Sequence, residues 1–468
     1  MNYNEIYKTL NSHWRELSRH YLPLTSKGSI WRFSRQADGD DPDQGWKLHV
    51  SATVLSANEI FAVVAPFLHS KGAMFKAPVS LYELHKLNTG ELYGYSQIGK
   101  FITVYPRNSA QALSLARALN RLTRNLPAPA IPFDHRYGAN GCIYYRFGAF
   151  KVLEKEQRDD QVLYMRGPDG NLIPDDRHSS DVPAWISNPF KRSRRSRDTA
   201  STPLQTTFKA FEAVAQRGRG GVYKAIDLSS SPPRICILKE GRQYGEVDWD
   251  GRDGAWRVLH EGNVLEQLRR AGVNVPRLYS SFQIDDNSYI AIELIDGINL
   301  NAWLARRRRR LSIRQVLRYA IGIASLVARI HDAGWVWRDC KPGNIMITRN
   351  GQLRAIDFEG ACLIDQPDPA PWGTRLFVPP EWDKAFNGQS RLPEDLYALG
   401  AIIHLMLTGA PPDQNSNKPN RKIPKGLESV VNALLSPNPL SRPPADVVIL
   451  ELKRIQNSLD RPALATAA

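Results

Sequence analysis

Trp337-Arg338-Asp339-Cys340-Lys341-Pro342-Gly343-Asn344 stands directly before the apolar run Ile345-Met346-Ile347. It reads Asp-x-Lys-x-x-Asn in a loop that feeds a short strand. Moving a phosphoryl group onto a hydroxyl needs a carboxylate to orient and deprotonate the attacking oxygen, and Asp339 is of that type. Lys341 can neutralise the group in flight, and Asn344 can hold a metal ion. Downstream, Ile356-Asp357-Phe358-Glu359 places a second carboxylate at a strand end, where Asp357 can ligate magnesium that bridges nucleotide phosphates.

Working outward, Arg234-Ile235-Cys236-Ile237-Leu238-Lys239 is an apolar strand closed by a lysine suited to the α- and β-phosphates. A helical stretch from Ala255 to Ala271, stopped by Gly272, offers Glu261 or Glu266 as that lysine's partner, with Glu261 preferred. Ile292-Glu293-Leu294-Ile295-Asp296-Gly297 reads as a hinge whose backbone, at Glu293 and Ile295, would bind the nucleotide base. Gly218, Gly220 and Gly221 form a glycine loop whose amides can approach phosphates. Gly373-Thr374, Pro379-Pro380-Glu381, Asp395 to Gly400 and Leu440-Ser441-Arg442-Pro443 follow in order, with Arg442 expected to pair with Glu381. This ordered set resembles the protein-kinase family and implies a two-lobed kinase-like domain over residues 206–458, using ATP or GTP with magnesium. Three positions depart from the pattern. Trp337 replaces a histidine that packs, Glu359 replaces a glycine, and the glycine loop is incomplete. The competing reading is a pseudokinase that only binds nucleotide.

The 468 residues suggest two or three domains of ordinary globular composition. No apolar run reaches the roughly 18 residues of a spanning helix, and the polar start lacks a signal-peptide core. The four cysteines, Cys142, Cys236, Cys340 and Cys362, are scattered, which supports neither a disulfide framework nor a zinc site. A cytoplasmic protein without zinc is expected. The net charge of +15 is concentrated in Lys191–Arg197 and Arg306–Arg310. It would suit an anionic partner, but no nucleic-acid module accompanies it.

Before the kinase-like half, residues 1–20 read as an extension, 21–154 as an α+β domain, 155–205 as a connector and 459–468 as a disordered tail. In Gly45-Trp46-Lys47-Leu48-His49-Val50, strand alternation puts Lys47 and His49 on one face and the apolar residues on the other. Ser56 and Glu59 have the spacing of a capping box for the helix that runs to Gly72. Met74-Phe75-Lys76-Ala77 and Lys100 to Tyr105 are further strands, each carrying a lysine. Arg136 falls in a loop, and Arg146 interrupts an aromatic strand. Lysines, a histidine and arginines are the inventory for β-elimination of phosphate, which needs a base, an acid and cations for the dianion.

Gly45–Ala52, Phe75-Lys76 and Gly99–Pro106 resemble the lyase domain of class III lanthipeptide synthetases, themselves similar to phosphothreonine lyase effectors. Gly167–Asp175 resembles that family's passage from lyase to kinase. The resemblance implies that Lys76 is the general base, His49 the general acid and Lys47 a supporting lysine. Arg136 and Arg146, with Lys100, would hold the substrate phosphate. It also implies a dehydratase acting on a precursor peptide with an acidic leader. The cyclase domain of full-length members is expected to be absent, so a separate cyclase, a tailoring enzyme or spontaneous addition would form any rings. No nucleic acid or membrane partner is implied. Two rivals stand beside this reading: a kinase-lyase effector acting on folded proteins, and a nucleotide- or phosphopeptide-binding scaffold.

Overall fold

The computed structural model describes residues 3–139, 141–151, 163–190, 206–383, 390–412 and 422–460. The chain divides into two compact units. Residues 1–234, 238–256 and 282–289 form the first, and residues 235–237, 257–281 and 290–468 the second.

The first unit is built on a seven-stranded sheet. Its strands are β1 (Leu24–Thr25), β2 (Trp31–Phe33), β3 (Gln44–Val50), β4 (Met74–Pro78), β5 (Ile102–Tyr105), β6 (His135–Arg136) and β7 (Ile143–Ala149), ordered β1-β2-β4-β5-β3-β7-β6. Every pairing is antiparallel. The core contains Trp46, Leu48 and Val50 from one face of β3 and residues of α2 (Ala57–Ser70), including Phe61 and Val64. Before it runs α1 (Tyr3–Tyr21), after it α3 (Leu81–Thr89) and α4 (Ser109–Leu122).

Three expectations change here. Residues 1–20 are no mere extension, because Trp14 of α1 is fully buried against Phe61 and Phe101. The capping box at Ser56 does not form: Ser56 instead exchanges hydrogen bonds with Thr53, and its hydroxyl donates to the Pro127 carbonyl at 2.6 Å. The stretch 155–205 is more than a connector. Within it β8 (Tyr164–Arg166) pairs with β9 (Leu172–Pro174), and Phe190 stacks on Tyr145 at 3.9 Å. The basic run Lys191–Arg197 and residues 461–468 of the expected tail lie outside the described residues.

A five-stranded sheet follows, formed by β10 (Phe208–Arg217), β11 (Gly220–Asp227), β12 (Arg234–Gly241), β13 (Leu278–Ile284) and β14 (Asn287–Glu293), in the order β10-β11-β12-β14-β13. Helix α5 (Gly254–Arg270) ends before Gly272, whose positive φ of 78° suits a residue without a Cβ. The second unit is mainly helical: α6 (Leu300–Ala305), α7 (Ile313–Asp332), α8 (Leu392–Thr408), α9 (Lys425–Leu434) and α10 (Ala445–Asp460). Helix α7 opens with a complete Ser312/Gln315 capping box and buries its apolar face in the core of this unit.

Candidate functional sites

Strand register assembles the first site. Lys76 of β4 lies opposite Thr103 of β5, which lies opposite His49 of β3; Lys47 lies opposite Arg146 of β7. Opposed residues share a face, so alternation carries these groups to one side while the apolar set fills the other. They line a cavity of about 230 Å³ together with Trp31, Lys100, Tyr105, Phe150 and Arg177.

Two buried carboxylates organise it. Asp134 accepts from His49 Nδ1 at 2.5 Å and stands 3.6 Å from Lys100 Nζ. Asp175 pairs with Arg146 at 2.7 Å and with Lys47 at 3.6 Å, while its second oxygen accepts from the Ala149 amide. Gly148 is required for this approach, since a Cβ there would come within 2.6 Å of the carboxylate. Lys76 differs from the other two lysines. Among the described residues it has no carboxylate partner, and its Nζ lies over the Trp31 ring at 4.3 Å.

Burial, then Arg177 and Lys100, bring the Lys76 pKa down to about 8. Burial brings Lys47 down to about 7 although Asp175 opposes it. Burial likewise lowers Lys100, again against the pull of its carboxylate partner. For Asp134, burial acts upward, but His49 and Lys100 outweigh it and hold the carboxyl at about 2. His49 is lowered to about 4, chiefly by burial. The cavity therefore presents a neutral imidazole whose Nδ1–H donates to an anionic Asp134.

Arg136 is not among these groups. It sits exposed on edge strand β6, where its Nε donates to the Gly141 carbonyl at 3.1 Å. In its place Arg177, from the stretch read as connector, reaches the cavity. Sequence reading missed Trp31, Tyr105, Asp134, Asp175 and Arg177. Asp175 closes the quoted segment Gly167–Asp175, and Arg177 lies two residues beyond it, so a signal existed there. Asp134 sits in an aperiodic loop that announces nothing.

The glycine loop and Lys239 belong to the first unit. Lys239 is buried on β12. Gly218 was expected to offer its amide to phosphate, but that N–H donates to the Thr89 carbonyl at 2.9 Å. Gly220 and Gly221 begin β11, paired with Arg217 and Gln216.

In the second unit, Asp339 forms a closed ring of hydrogen bonds. Lys341 Nζ donates to Asp339 Oδ2 at 2.7 Å and to Thr374 Oγ1 at 2.8 Å, and the Thr374 hydroxyl donates to Asp339 Oδ1 at 2.8 Å. Asn344 Nδ2 donates to the Asp339 carbonyl and carboxylate, both at 3.0 Å. Burial pushes the Asp339 carboxyl up, Lys341 opposes this, and Asp357 adds to it. Beneath the loop, fully buried Asp395 accepts the Trp337 and Arg338 amides at 2.8 and 2.7 Å. Arg338 itself adopts a left-handed φ of 67°, as does Asp357 at 66°. That conformation is costly outside glycine and is stabilised here by these bonds. Trp337 stacks on Phe358 and donates from its indole to the Asp357 carbonyl at 3.1 Å. Glu359 is not at positive φ, so this position does not demand glycine.

Of the two candidate glutamates, Glu261 is buried and accepts from the Phe358 amide at 3.3 Å. Glu266 is half exposed and pairs with Arg270. Carboxylate oxygens of Glu261, Asp357 and Glu359 lie within 4.8 Å of one another, a hard-oxygen set that fits magnesium. At the hinge, Ile295 is buried. The Glu293 amide donates to the Arg277 carbonyl, and its carboxylate is clamped by Arg354 at 2.5 and 2.8 Å. Arg442 grips Glu381 through both oxygens at 2.5 and 2.7 Å. Arg307–Arg310 line a groove of about 370 Å³ floored by Leu311, Leu405 and Met406.

Two family models match the chain. The RamC N-terminal domain covers residues 19–202, and the protein kinase domain covers residues 212–455. A probable SapB synthase of Streptomyces coelicolor is 31% identical over 350 residues, 72% of this chain and 37% of the relative. Serine/threonine-protein kinase F of Synechocystis is 26% identical over 267 residues, 51% of this chain and 53% of the relative. The chain thus spans about a third to a half of the length of these relatives. Among the described residues no helix is long and apolar enough to cross a membrane, and the four cysteines are buried and form no disulfide.

Proposed function

We propose that this chain, which belongs to the protein kinase family and carries a RamC N-terminal domain ahead of its kinase domain, is a two-step dehydratase of a ribosomally made precursor peptide. The first step phosphorylates a serine or threonine, and the second eliminates the phosphate to leave dehydroalanine or dehydrobutyrine. The observation that carries the reading is Lys76, a half-buried lysine with no carboxylate partner among the described residues, in a cavity of cations beside a His49–Asp134 pair.

In the first step Asp339 takes the proton of the substrate hydroxyl while its oxygen bonds to the γ-phosphorus and the bond to the β-phosphate oxygen breaks. Lys341 and Thr374 hold Asp339 in the orientation this needs. Lys239 would hold the α- and β-phosphates, and the backbone of Glu293 and Ile295 would receive the base of ATP or GTP. Asp357 and the side-chain carbonyl oxygen of Asn344 would hold magnesium, which would neutralise charge on the phosphates.

In the second step the neutral Lys76 amine removes the Cα proton, the Cβ–O bond breaks and its electron pair leaves with the phosphate. The Cα–H pair becomes the new double bond. Arg177, Lys47, Lys100 and Arg146 surround the dianion. Its charge raises the affinity of His49 for a proton, which His49 returns to the departing oxygen. Each modified residue loses one water overall, and one nucleoside triphosphate becomes diphosphate and phosphate. The net charge of +15 suits an acidic leader on the substrate.

The test follows peptide mass after incubation with magnesium, ATP and a Ser/Thr-rich candidate precursor. Loss of one water per modified residue is expected, with phosphopeptide accumulating in Lys76→Ala. Stable phosphopeptide from the unaltered protein would show that the N-terminal domain only binds.

A further inference from the structure

The turn between β10 and β11 holds Gly218 and Arg219, the tip of the glycine loop, and its surroundings come from the RamC-type domain. Helix α3 ends at Thr89, and the last carbonyls of any helix lack partners within it. The Gly218 amide supplies one, donating to Thr89 O at 2.9 Å. The fit is close, since a Cβ on Gly218 would fall 1.6 Å from the Asn88 carbonyl oxygen. Arg217, just before the tip, pairs with Glu91 at 2.7 Å, beside the negative end of the α3 dipole.

Arg242 completes the clamp. Its amide donates to the Arg219 carbonyl at 2.8 Å and its guanidinium to the Arg217 carbonyl at 3.2 Å, so it holds the loop backbone on both sides of the tip. The same guanidinium lies over the Tyr95 ring at 5.3 Å. Nearby, Trp249, which follows β12, is buried edge-on to Tyr7 of α1.

Asn88 extends the connection to the elimination site. Its side chain is buried, donates to the Ala52 carbonyl at 3.1 Å and accepts from the Gly99 amide at 3.0 Å. Ala52 lies shortly after His49, and Gly99 directly precedes Lys100. One residue therefore braces two segments of the elimination cavity and directly precedes Thr89, whose carbonyl holds the tip of the phosphate loop.

We infer that Thr89, Glu91 and Tyr95 of the RamC-type domain are positioning residues for the kinase phosphate loop, and that nucleotide affinity depends on this clamp. The inference rests on the kinase reading of the glycine loop. A glycine loop not anchored in this way would have to be ordered by the nucleotide at a cost to binding; here the C-terminus of α3 has ordered it beforehand.

The full chain is assayed with Glu91→Arg, Tyr95→Ala, and the charge swap Glu91→Arg with Arg217→Glu. Nucleotide affinity is read directly with a fluorescent ADP analogue plus magnesium, and KM for ATP against kcat is read with peptide. Elimination is read separately on a synthetic phosphopeptide. The two single variants are expected to weaken nucleotide binding about two- to fivefold, the scale of an exposed ion pair or a cation–π contact. Turnover and elimination should stay unchanged, and the swap should restore affinity. Unchanged affinity in both single variants, or a loss that the swap fails to restore, overturns the inference. Because ADP binding needs no peptide, a wrong peptide substrate would leave this test intact and fail only the dehydratase reading.

Discussion

Lys76 Nζ lies 4.3 Å from the centre of the Trp31 ring, while the neighbouring Lys47 and Lys100 each face a buried carboxylate at 3.6 Å. An aromatic face attracts a cation weakly and cannot take its proton. Lys76 is thus the lysine of the three whose charge is suppressed by desolvation with no carboxylate among the described residues to restore it.

The pH profile of elimination should reflect this. A base acts when unprotonated, so the rate on synthetic phosphopeptide is expected to rise with pH through about 8. Replacing Arg177 by Met removes a positive neighbour, which raises the Lys76 pKa and moves the rising limb to higher pH. A profile that is flat from pH 6 to about 10 would remove Lys76 as the base.

Asp134 holds His49 and Lys100 from one buried position. Asp134→Asn leaves both without their anion, and breaking a buried pair costs about 3–5 kcal/mol. The denaturation midpoint should fall accordingly, and elimination should fall with it. Kinase turnover below the transition should be nearly unaffected.

Asp339→Asn keeps the shape of the catalytic loop and removes its base. Phosphorylation is expected to drop about 10²–10⁴-fold, leaving precursor at its original mass. The same variant should eliminate phosphate from synthetic phosphopeptide at the full rate. Loss of both activities would tie elimination to the kinase loop and contradict two separate sites.

The fully buried Arg442 side chain grips Glu381 bidentately. Arg442→Met strands that carboxylate and should destabilise the second unit by about 3–5 kcal/mol. Differential scanning calorimetry should show the loss, and the double variant with Glu381→Gln should recover part of it.

The kinase motifs could be read from sequence because their chemistry is local. Asp339, Lys341 and Asn344 fall within one loop, and a strand or helix boundary brackets each remaining motif. Alternation in β3 likewise put Lys47 and His49 on one face, because a strand's side-chain period is two. Matching Lys76 and Lys100 to that site already required resemblance to a family, since four strands had to adopt one register. The anions that tune the site were beyond local reading. Asp134 meets His49 from 85 residues away, and Asp175 meets Arg146 from 29 residues away, both out of irregular loops. Arg136 and Arg177 show the same limit: both are arginines near strands, and only the path of the chain after β9 carries Arg177 into the cavity and leaves Arg136 on an edge. The sequence by itself determined which chemical groups each domain carries and on which strand faces they lie. Tertiary structure decided which charges meet, and therefore which lysine stands without a carboxylate beside it, because burial and neighbours are not encoded in periodicity.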